Sequence, residues 1–481
     1  MTPVRVRFAP SPTGYLHVGG LRTALYNFLF ARKTGGILIL RIEDTDRARY
    51  VEGAVDNLIQ TLRWAGLDFD EGPGTRDATG PYVQSERLPL YRKHAEHLVE
   101  TGKAYYAFDT AEQLAEMRRD QEQRGLFPKY DRRALKLSME EVRESREKGI
   151  PAVIRMRVPD VATVVVDDLI RGRIRFSSDQ IDDQVLLKSD GYPTYHLANV
   201  VDDHTMGVSH IIRGEEWLSS TPKHVLLYEF LGWDLPAFAH LPLLLNPDRS
   251  KLSKRQGDVA VEDYRTKGFL PEALVNFVAL LGWNPGDDRE IFTMEELIHE
   301  FSLERVGKSG AVFDIEKLRW MNTHHLRLKS DEELLFMSRP HFDASGLGTP
   351  TDQYLLAVIR LLKERVEGVQ DFLTLGPYFF KDPDTYDEAS RKKNWTPDAR
   401  TRVTDARTDL GQLEPFTHSS IEGIVRNAAE RHGVGAGKII HPLRLAITGM
   451  GRGPGLFELM EVLGRETCIR RIDRAVEILP V

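Results

Sequence analysis

The chain has 481 residues, of which 41% are hydrophobic and 28% are charged, a composition typical of globular proteins. Because single hydrophobic cores stop growing at about 250–300 residues, this length predicts several domains. The formal net charge of −7 excludes a uniformly basic surface, but local clusters of arginine and lysine still permit contact with phosphates.

The sequence has none of the features that would direct it to a membrane or an oxidising compartment. No apolar run approaches the roughly 20 residues that span a bilayer. The N-terminus lacks the charged-then-apolar pattern of a signal peptide. Cys468 is the only cysteine, so no internal disulfide is expected. We therefore expect a cytoplasmic protein with no membrane partner.

The first motif joins a strand to a helix. Residues 4–8 alternate as in a buried strand, and residues 21–29 carry an apolar stripe at helical spacing. The turn between them is rich in proline and glycine and contains His17. Unpaired N–H groups and the dipole at a helix start favour anions, which predicts a phosphate site. An ordinary turn explains the segment equally well when it is taken alone.

A second motif lies at residues 246–257, after an apolar run at 241–245. It combines turn formers with Lys251 and Lys254, which are three positions apart. Two lysines in such a loop suit closure over a polyphosphate. A solvated basic loop is the simpler explanation when the segment is considered by itself.

The remaining elements follow in two stretches. Alternation in the first hundred residues predicts a parallel sheet covered by helices, with a strand at 37–42 and a helix at 54–65. From 101 to 190 the pattern changes, which we interpret as an α/β insertion. Its predicted elements are a helix at 111–123 and strands at 153–158, 163–166 and 174–176. The first sheet is expected to resume at 185–187 and 208–212.

Beyond residue 240 the pattern is mainly helical. The predicted helices are 271–281, 294–301, 354–365 and 456–463. Thr293 and Glu296 form a capping box for the second of these. The polar segment 382–395 is expected to be a linker or loop. The last 155 residues or so contain almost no strand pattern, which predicts one or two small helical bundles.

Together, the two motifs resemble the signature sequences of class I aminoacyl-tRNA synthetases, which are usually written HIGH and KMSKS. His17 and Lys254 match the catalytic histidine and the second lysine. Gly20 replaces the second histidine of the first signature, whereas Leu252 and Arg255 replace methionine and serine in the second.

Four further blocks narrow the resemblance to bacterial-type glutamyl-tRNA synthetases. In family order they are Arg7–Gly14, Arg41–Asp46, Gly191–His204 and Arg213–Trp217. The resemblance spans the chain but thins after about Asn322. It implies a multidomain fold in which a Rossmann-like α/β catalytic domain with a parallel sheet and an α/β insertion precedes an all-α C-terminal anticodon-binding region.

The domain boundaries expected from this resemblance divide the chain into five parts. Residues 1–100 and 191–240 are the two halves of the catalytic domain, and 101–190 are the inserted acceptor-stem-binding domain. Residues 241–325 are a stem-contact region with the Lys251–Arg255 loop, and 326–481 are the anticodon-binding region.

The resemblance also implies the residues of the site. Catalysis is expected of His17 and Lys254, with help from Lys251. The residues expected to contact ATP are Gly14, His17, Gly19, Gly20, Lys251, Ser253 and Lys254. The residues expected to contact glutamate are Arg7, Ala9, Ser11, Glu43, Tyr195, Asn199 and Arg213. In this set Arg7 and Arg213 bind the carboxylates, Tyr195 orients the substrate, and Glu43 pairs with the ammonium group.

The expected partners are tRNA(Glu), L-glutamate and ATP with Mg²⁺. The protein is expected to be a monomer. Some family members hold zinc in the insertion with a Cys/His cluster, but this insertion has no cysteine, so we expect no zinc. Arg365 aligns with an arginine that reads the third anticodon base and excludes tRNA(Gln).

Several alternatives stay open at the level of sequence. The enzyme could also charge tRNA(Gln), it could be a glutaminyl-tRNA synthetase, or the chain could be an inactive RNA-binding paralogue. The loop triplet Asp202-Asp203-His204 could in principle bind a metal, but capping or ion pairing is the expected role. Adjacent Glu215 and Glu216 do not face each other on a helix, which argues against an acid–base pair.

Overall fold

The computed structural model describes residues 3–75, 79–126, 128–160, 162–252, 260–348 and 350–481. These residues fall into two compact units. The first comprises Met1–Thr266 with Pro271–Ile315, and the second comprises Lys267–Leu270 with Glu316–Val481. No described helix is long and apolar enough to cross a membrane. The finer division into five domains stays a prediction.

The strands of the described residues all lie before residue 313. They are β1 Arg5–Phe8, β2 Ile37–Leu40, β3 Ala104–Ala107, β4 Val153–Met156, β5 Thr163–Asp168, β6 Gly172–Ser177, β7 Val185–Leu187, β8 His210–Gly214, β9 Ala237–Leu241, β10 Leu244–Leu245 and β11 Ala311–Val312.

Parallel pairs form the core of two sheets in the first unit, β1–β2 and the four-stranded sheet β6-β5-β9-β8, which we call together the catalytic sheet. β1 pairs with β2, and β8 pairs with β9, each in parallel over the whole strand. The Ser209 N–H donates to the Arg5 carbonyl at 2.9 Å, which brings the start of β8 beside β1. The alternation of strands and helices therefore gave the correct α/β architecture.

The inserted region contributes to two different sheets. β3, β4 and β7 form a separate antiparallel sheet. The β5–β6 hairpin instead extends the catalytic sheet, because β5 pairs with β9 in the order β6-β5-β9-β8. The prediction that the catalytic sheet resumes at 185–187 was therefore wrong, since strand pairing is a long-range property that local periodicity does not encode.

The helices of the first unit cover these sheets. They are α1 Val18–Thr34, α2 Ala54–Trp64, α3 Leu88–Glu100, α4 Ala111–Gln123, α5 Met139–Glu147, α6 Tyr195–Thr205, α7 Thr221–Leu231, α8 Val261–Thr266, α9 Pro271–Ala279 and α10 Met294–Glu300. The main core is built largely from the buried apolar faces of α3, α6 and α7 with the strands. The predicted capping box of α10 is present, with Thr293 and Glu296 bonded reciprocally.

The second unit contains helices and connecting loops but no strand among its described residues. Its helices, the first of which begins at the boundary, are α11 Ile315–Leu328, α12 Asp331–Ala344, α13 Asp352–Leu362, α14 Asp371–Thr374, α15 Glu388–Asn394, α16 Pro397–Gly411, α17 His418–Arg431, α18 Gly437–Thr448, α19 Leu456–Leu463 and α20 Arg465–Ile478.

The segment 382–395, which was expected to be a linker or loop, contains the helix α15. The Asp387 carboxylate caps this helix by accepting from the Ser390 N–H at 2.6 Å. Its last turn carries cations, and Trp395 directly after it is 2% exposed. The prediction is confirmed at residues 382–387, which form a loop, and wrong at 388–394, where the helix carries no repeating apolar stripe that would indicate it.

Candidate active site

A cavity of about 800 Å³ lies at the carboxyl ends of β1, β2 and β8. This edge of a parallel sheet is where α/β folds bind ligands, and the volume suits a small molecule. All predicted ATP and glutamate residues that the structure describes line it, namely Arg7, Ala9, Ser11, Gly14, His17, Gly19, Gly20, Glu43, Tyr195, Asn199, Arg213 and Lys251. The predicted Ser253 and Lys254 lie outside the described residues.

The turn after β1 presents the start of α1 to this cavity. His17 is the N-cap residue, and its side chain makes no capping bond to the helix backbone. The first turn of α1 contains no acidic residue. The early N–H groups of the helix are therefore left for another acceptor, as a phosphate site requires.

Two glycines shape the first turn of α1. A Cβ added to Gly20 would lie 2.6 Å from Leu16 Cδ1, so no larger residue fits there without moving Leu16. A Cβ added to Gly19 would meet only Leu244 Cδ1, at 3.9 Å, which is an ordinary contact. The contact with Leu16 therefore accounts for glycine at position 20. At position 19 a larger side chain would have room.

Arg213 is the cation at the end of β8, and it is 4% exposed. Its short hydrogen bonds, all 3.0 Å, go to the neutral groups Tyr195 Oη, Thr221 Oγ1 and His240 Nε2. Its other two contacts are longer, at 3.3 Å to His224 Nδ1 and 3.5 Å to the Trp217 carbonyl. No carboxylate of the described residues forms an ion pair with it.

Neutral histidines surround this guanidinium. Burial, reinforced by the charge of Arg213, holds the pKa of His224 well below its usual value. Burial also lowers the pKa of His196 to about 3. Neither ring therefore adds a positive charge near neutral pH. Arg213 is thus a buried cation that no described acidic side chain contacts directly, which is the electrostatic setting for an anionic ligand.

Arg7 is bound differently from Arg213. Its Nε and Nη2 donate to the carboxylate of Asp203 at 3.1 and 3.4 Å. Asp203 also accepts from Arg41 Nη1 at 2.7 Å, and Arg41 Nη2 donates to Glu43 at 2.9 Å. These four side chains form a buried network beside Asn199, which is 1% exposed.

Glu43 has a perturbed acidity in this network. Burial raises the pKa of Glu43, while the Arg41 charge and hydrogen bond oppose that rise. The pKa of Asp203 is lowered, because Arg7 and Arg41 more than offset its burial. Glu43 is thus the carboxylate of the network that is most easily protonated, and it is also the one that faces the cavity.

The acidic triplet Asp202-Asp203-His204 lies on helix α6 rather than on a loop. Asp202 accepts from Arg87 Nε at 2.8 Å and from Tyr91 Oη at 2.8 Å, so both aspartates serve ion pairing. No cluster of three or more metal-ligating side chains occurs among the described residues. The expectation of no zinc stays a prediction.

Other predicted residues have simple surroundings. Glu215 pairs with Arg171 and accepts the Leu243 N–H at 2.9 Å, whereas Glu216 lines the cavity. Lys251 is exposed at the cavity rim. Arg365 is exposed in the turn that follows α13, so the predicted helix 354–365 is three residues too long at its C-terminal end.

Three buried side chains next to the predicted site residues were given no site role from the sequence, namely Arg41, Asp203 and His240. Arg41 stands inside an apolar strand segment, and a lone charge in such a run indicates a buried ion pair. Asp203 follows an apolar helical stretch in the same way. His240 likewise interrupts the apolar run 237–245, but this pattern does not indicate its partners, which come from other strands.

Comparison with known proteins matches both parts of the chain to protein families. The family of class I tRNA synthetases (E and Q), catalytic domain, matches residues 3–320, and an anticodon binding domain matches residues 333–476. The fold and the site thus define a class I aminoacyl-tRNA synthetase.

Full-length relatives narrow the class to one family. A glutamate–tRNA ligase of Chloroherpeton thalassium is 53% identical, over 99% of this chain and 98% of that protein. A glutamate–tRNA ligase of Chlorobium chlorochromatii is 52% identical, over 99% of this chain and 98% of its own length. The chain belongs to the glutamate–tRNA ligase family.

A solved structure has the same fold over the same length. The glutamate tRNA ligase from Elizabethkingia meningosepticum, crystallised in complex with its amino acid, superposes with a TM-score of 0.95. It is 42% identical and covers 99% of this chain and 100% of its own. The α/β catalytic part and the helical C-terminal part are therefore those of this family.

Proposed function

We propose that this chain activates L-glutamate with ATP, transfers it to the terminal adenosine of tRNA(Glu), and discriminates against tRNA(Gln). In the first step the α-carboxylate attacks the α-phosphorus of ATP, which forms a mixed anhydride and releases pyrophosphate. In the second step a hydroxyl of the terminal adenosine attacks the carbonyl carbon, and AMP leaves. Neither step needs a covalent nucleophile from the protein, so its task is positioning and charge stabilisation.

The assignment of glutamate as the substrate rests on one observation. Arg213 is buried in the cavity wall, and no acidic side chain of the described residues contacts it directly. A side-chain carboxylate would neutralise it and receive N–H groups that now make only long contacts. Arginine is favoured for such paired recognition of a carboxylate. Glutamine would leave the charge buried and unpaired, which disfavours the glutaminyl alternative.

The remaining contacts follow from position in the cavity. Glu43 pairs with the α-ammonium group, with Ser11 and Asn199 alongside. Tyr195 accepts from Arg213 and orients the side-chain carboxylate. Arg7 lies beside these groups, but its charge is already paired with Asp203. It therefore contributes to substrate binding mainly as a hydrogen-bond donor.

ATP is proposed to place its phosphates at the start of α1. His17, Gly19 and Gly20 address the phosphates, and Lys251 and Lys254 neutralise the departing pyrophosphate. Since the first turn of α1 has no acidic residue, phosphate oxygens and water are the fitting ligands for Mg²⁺ there. The metal, when bound, supplies further neutralisation of the triphosphate.

The helical second unit is proposed to read the anticodon, with Arg365 excluding tRNA(Gln). We further propose that the protein acts as a monomer in the cytoplasm. An inactive RNA-binding paralogue is the second candidate, and the catalytic histidine and lysine in the sequence argue against it.

The test is ATP–pyrophosphate exchange and aminoacylation with glutamate or glutamine, each with and without tRNA(Glu). We expect glutamate-dependent exchange that requires tRNA, as is typical of the family. Arg213→Lys should raise the KM for glutamate about tenfold or more while leaving the KM for ATP unchanged. The same change at Arg173, which is exposed on β6, is the control. Activity with glutamine but not with glutamate would overturn the substrate assignment. No activity with either amino acid would support the inactive RNA-binding paralogue.

A further inference from the structure

A hydrogen-bonded chain leads away from Arg213 on the side opposite to its long contacts. Arg213 Nε donates to His240 Nε2 at 3.0 Å, and His240 Nδ1 lies 2.6 Å from Asp168 Oδ2. The side chains of His240 and Asp168 are fully buried, and neither lines the cavity. His240 therefore reaches the cavity wall through Arg213, and it also lies 3.2 Å from Thr221 Oγ1, which itself accepts from Arg213.

The chemistry of the three groups fixes the proton on the imidazole. A guanidinium has no acceptor, so His240 Nε2 must accept from Arg213. The remaining ring proton is then on Nδ1 and is donated to Asp168. Burial lowers the pKa of His240, and the nearby Arg213 charge adds to this effect, so the ring stays neutral.

Asp168 is held as a carboxylate by several donors. Its Oδ1 accepts from the Ile170 and Arg171 N–H groups at 2.9 and 2.8 Å. Although burial raises the pKa of Asp168, the bonds from His240 and Arg171 outweigh that effect and lower it. A negative charge is thus fixed one imidazole away from Arg213.

We propose that Asp168 and His240 are positioning residues that hold the Arg213 guanidinium from behind, so that its Nη edge meets the side-chain carboxylate of the substrate. The inference rests on the proposed role of Arg213 in binding glutamate. A carboxylate in direct contact, as Asp203 is with Arg7, would compete with the substrate. A carboxylate behind an imidazole offsets part of the buried charge and leaves the Nη edge of Arg213 open to a ligand.

The sheet fixes this arrangement. Arg213 and His240 are register partners on the parallel strands β8 and β9, and Asp168 ends β5, the next strand along. Three adjacent strands therefore supply one residue each. Sites on rigid strands hold their geometry better than sites on loops. The β5 strand belongs to the inserted segment, so this hairpin contributes to the amino-acid pocket.

Two substitutions at one position separate positioning from packing. In His240→Gln the amide oxygen reaches the place of Nε2 and still accepts from Arg213. In His240→Asn the shorter amide reaches the place of Nδ1, so it bonds to Asp168 but offers Arg213 no acceptor. Because asparagine is one methylene shorter than glutamine, packing alone predicts a lower thermal stability for His240→Asn but no selective change in the KM for glutamate.

The experiment measures aminoacylation of tRNA(Glu) by the full chain, with thermal unfolding of each variant. We expect His240→Asn to raise the KM for glutamate about tenfold to a hundredfold, with the KM for ATP unchanged and kcat changed much less. His240→Gln should retain most of the glutamate affinity. Asp168→Asn should act like His240→Asn, because the amide reverses the ring tautomer and turns an N–H toward Arg213.

Asp167→Asn is the matched control, since it is the neighbouring residue on β5 and pairs with Arg173 at the surface. It should leave all constants unchanged. Equal effects of His240→Gln and His240→Asn, or a loss in kcat alone, would overturn the inference. Arg213→Lys distinguishes the proposed role of Arg213 in binding glutamate from the positioning role of His240 and Asp168. If it leaves the glutamate KM unchanged, the proposed role of Arg213 fails. If it raises that KM while His240→Asn does not, only the positioning role fails.

Discussion

Arg7 reaches the cavity wall with its charge already matched, because its Nε and Nη2 both donate to the buried carboxylate of Asp203. Asp203 shares this carboxylate with Arg41, and the side chains of Asp203 and Arg41 are fully buried. Removal of one charge from such a network leaves the others uncompensated in a region that excludes water. The stability of the catalytic unit should therefore depend strongly on this aspartate.

We predict that Asp203→Asn lowers the free energy of unfolding by about 3–5 kcal/mol, the cost of breaking a buried pair from one side. Urea unfolding followed by circular dichroism measures this loss. The control is Asp190→Asn, whose carboxylate is exposed and pairs with Lys188, and which should change stability by less than about 0.5 kcal/mol. Similar small losses for both variants would show that the network is not stabilising.

The neutral histidines beside Arg213 predict a dependence of stability on pH. Burial lowers the pKa of His196 to about 3, whereas the unfolded chain has the usual value of 6.5. Below pH 6.5 the unfolded state binds the extra proton, so stability is complete above pH 6.5 and falls as the pH decreases toward 3. His196→Asn should make the free energy of unfolding less dependent on pH in this window.

Denaturant unfolding at pH 7.5 and at pH 5 tests this effect. At pH 7.5 the variant differs from the parent through packing and through the contact between His196 Nδ1 and His224 Nε2, so that measurement is the internal reference. The difference between the two pH values should be smaller in the variant than in the parent. A pH difference that is unchanged or larger would contradict the assignment of a neutral buried ring.

Local elements were largely predictable from sequence, whereas pairing across the chain was not. The helices α4 and α19 begin and end at the predicted residues, because capping and apolar spacing are local properties. No comparable local pattern in the sequence indicated that β7 belongs to the antiparallel sheet. None indicated the helix α15 either. In the site, the signatures located the cavity walls. The bond between Arg41 and Asp203 spans 162 residues, and no local pattern specifies such a contact.

The two glycines at the start of α1 predict opposite outcomes for the same substitution. Gly20→Ala should destabilise the protein by about 1–3 kcal/mol, because the new Cβ would meet Leu16 at 2.6 Å. Gly19→Ala should leave stability nearly unchanged and raise the KM for ATP about tenfold, since its Cβ has room in the protein but faces the proposed phosphates. Thermal unfolding and aminoacylation with varied ATP measure the two effects. An unchanged ATP constant in Gly19→Ala would place the triphosphate elsewhere.

Arg365 predicts the anticodon preference. It lies close enough to Arg444 to lower that residue's pKa, although burial is the larger cause and Tyr378 opposes it. Within the described residues neither arginine forms an ion pair with a carboxylate, and Arg444 Nη1 is buried without a hydrogen-bond partner. Two neighbouring cations that form no ion pair among the described residues, although Glu458 lies close enough to Arg444 to raise its pKa, fit contact with an RNA base edge or phosphate.

Arg365→Ala should therefore lower kcat/KM for tRNA(Glu) about tenfold and reduce the preference over tRNA(Gln). The KM values for ATP and glutamate should stay unchanged, because the residue lies in the helical unit. Arg360→Ala is the matched control, since Arg360 is exposed on α13 and pairs with Asp331. Equal charging of both tRNAs by the parent protein would contradict the discrimination. Equal losses in the two arginine variants would mean that Arg365 acts only through the general charge of this surface.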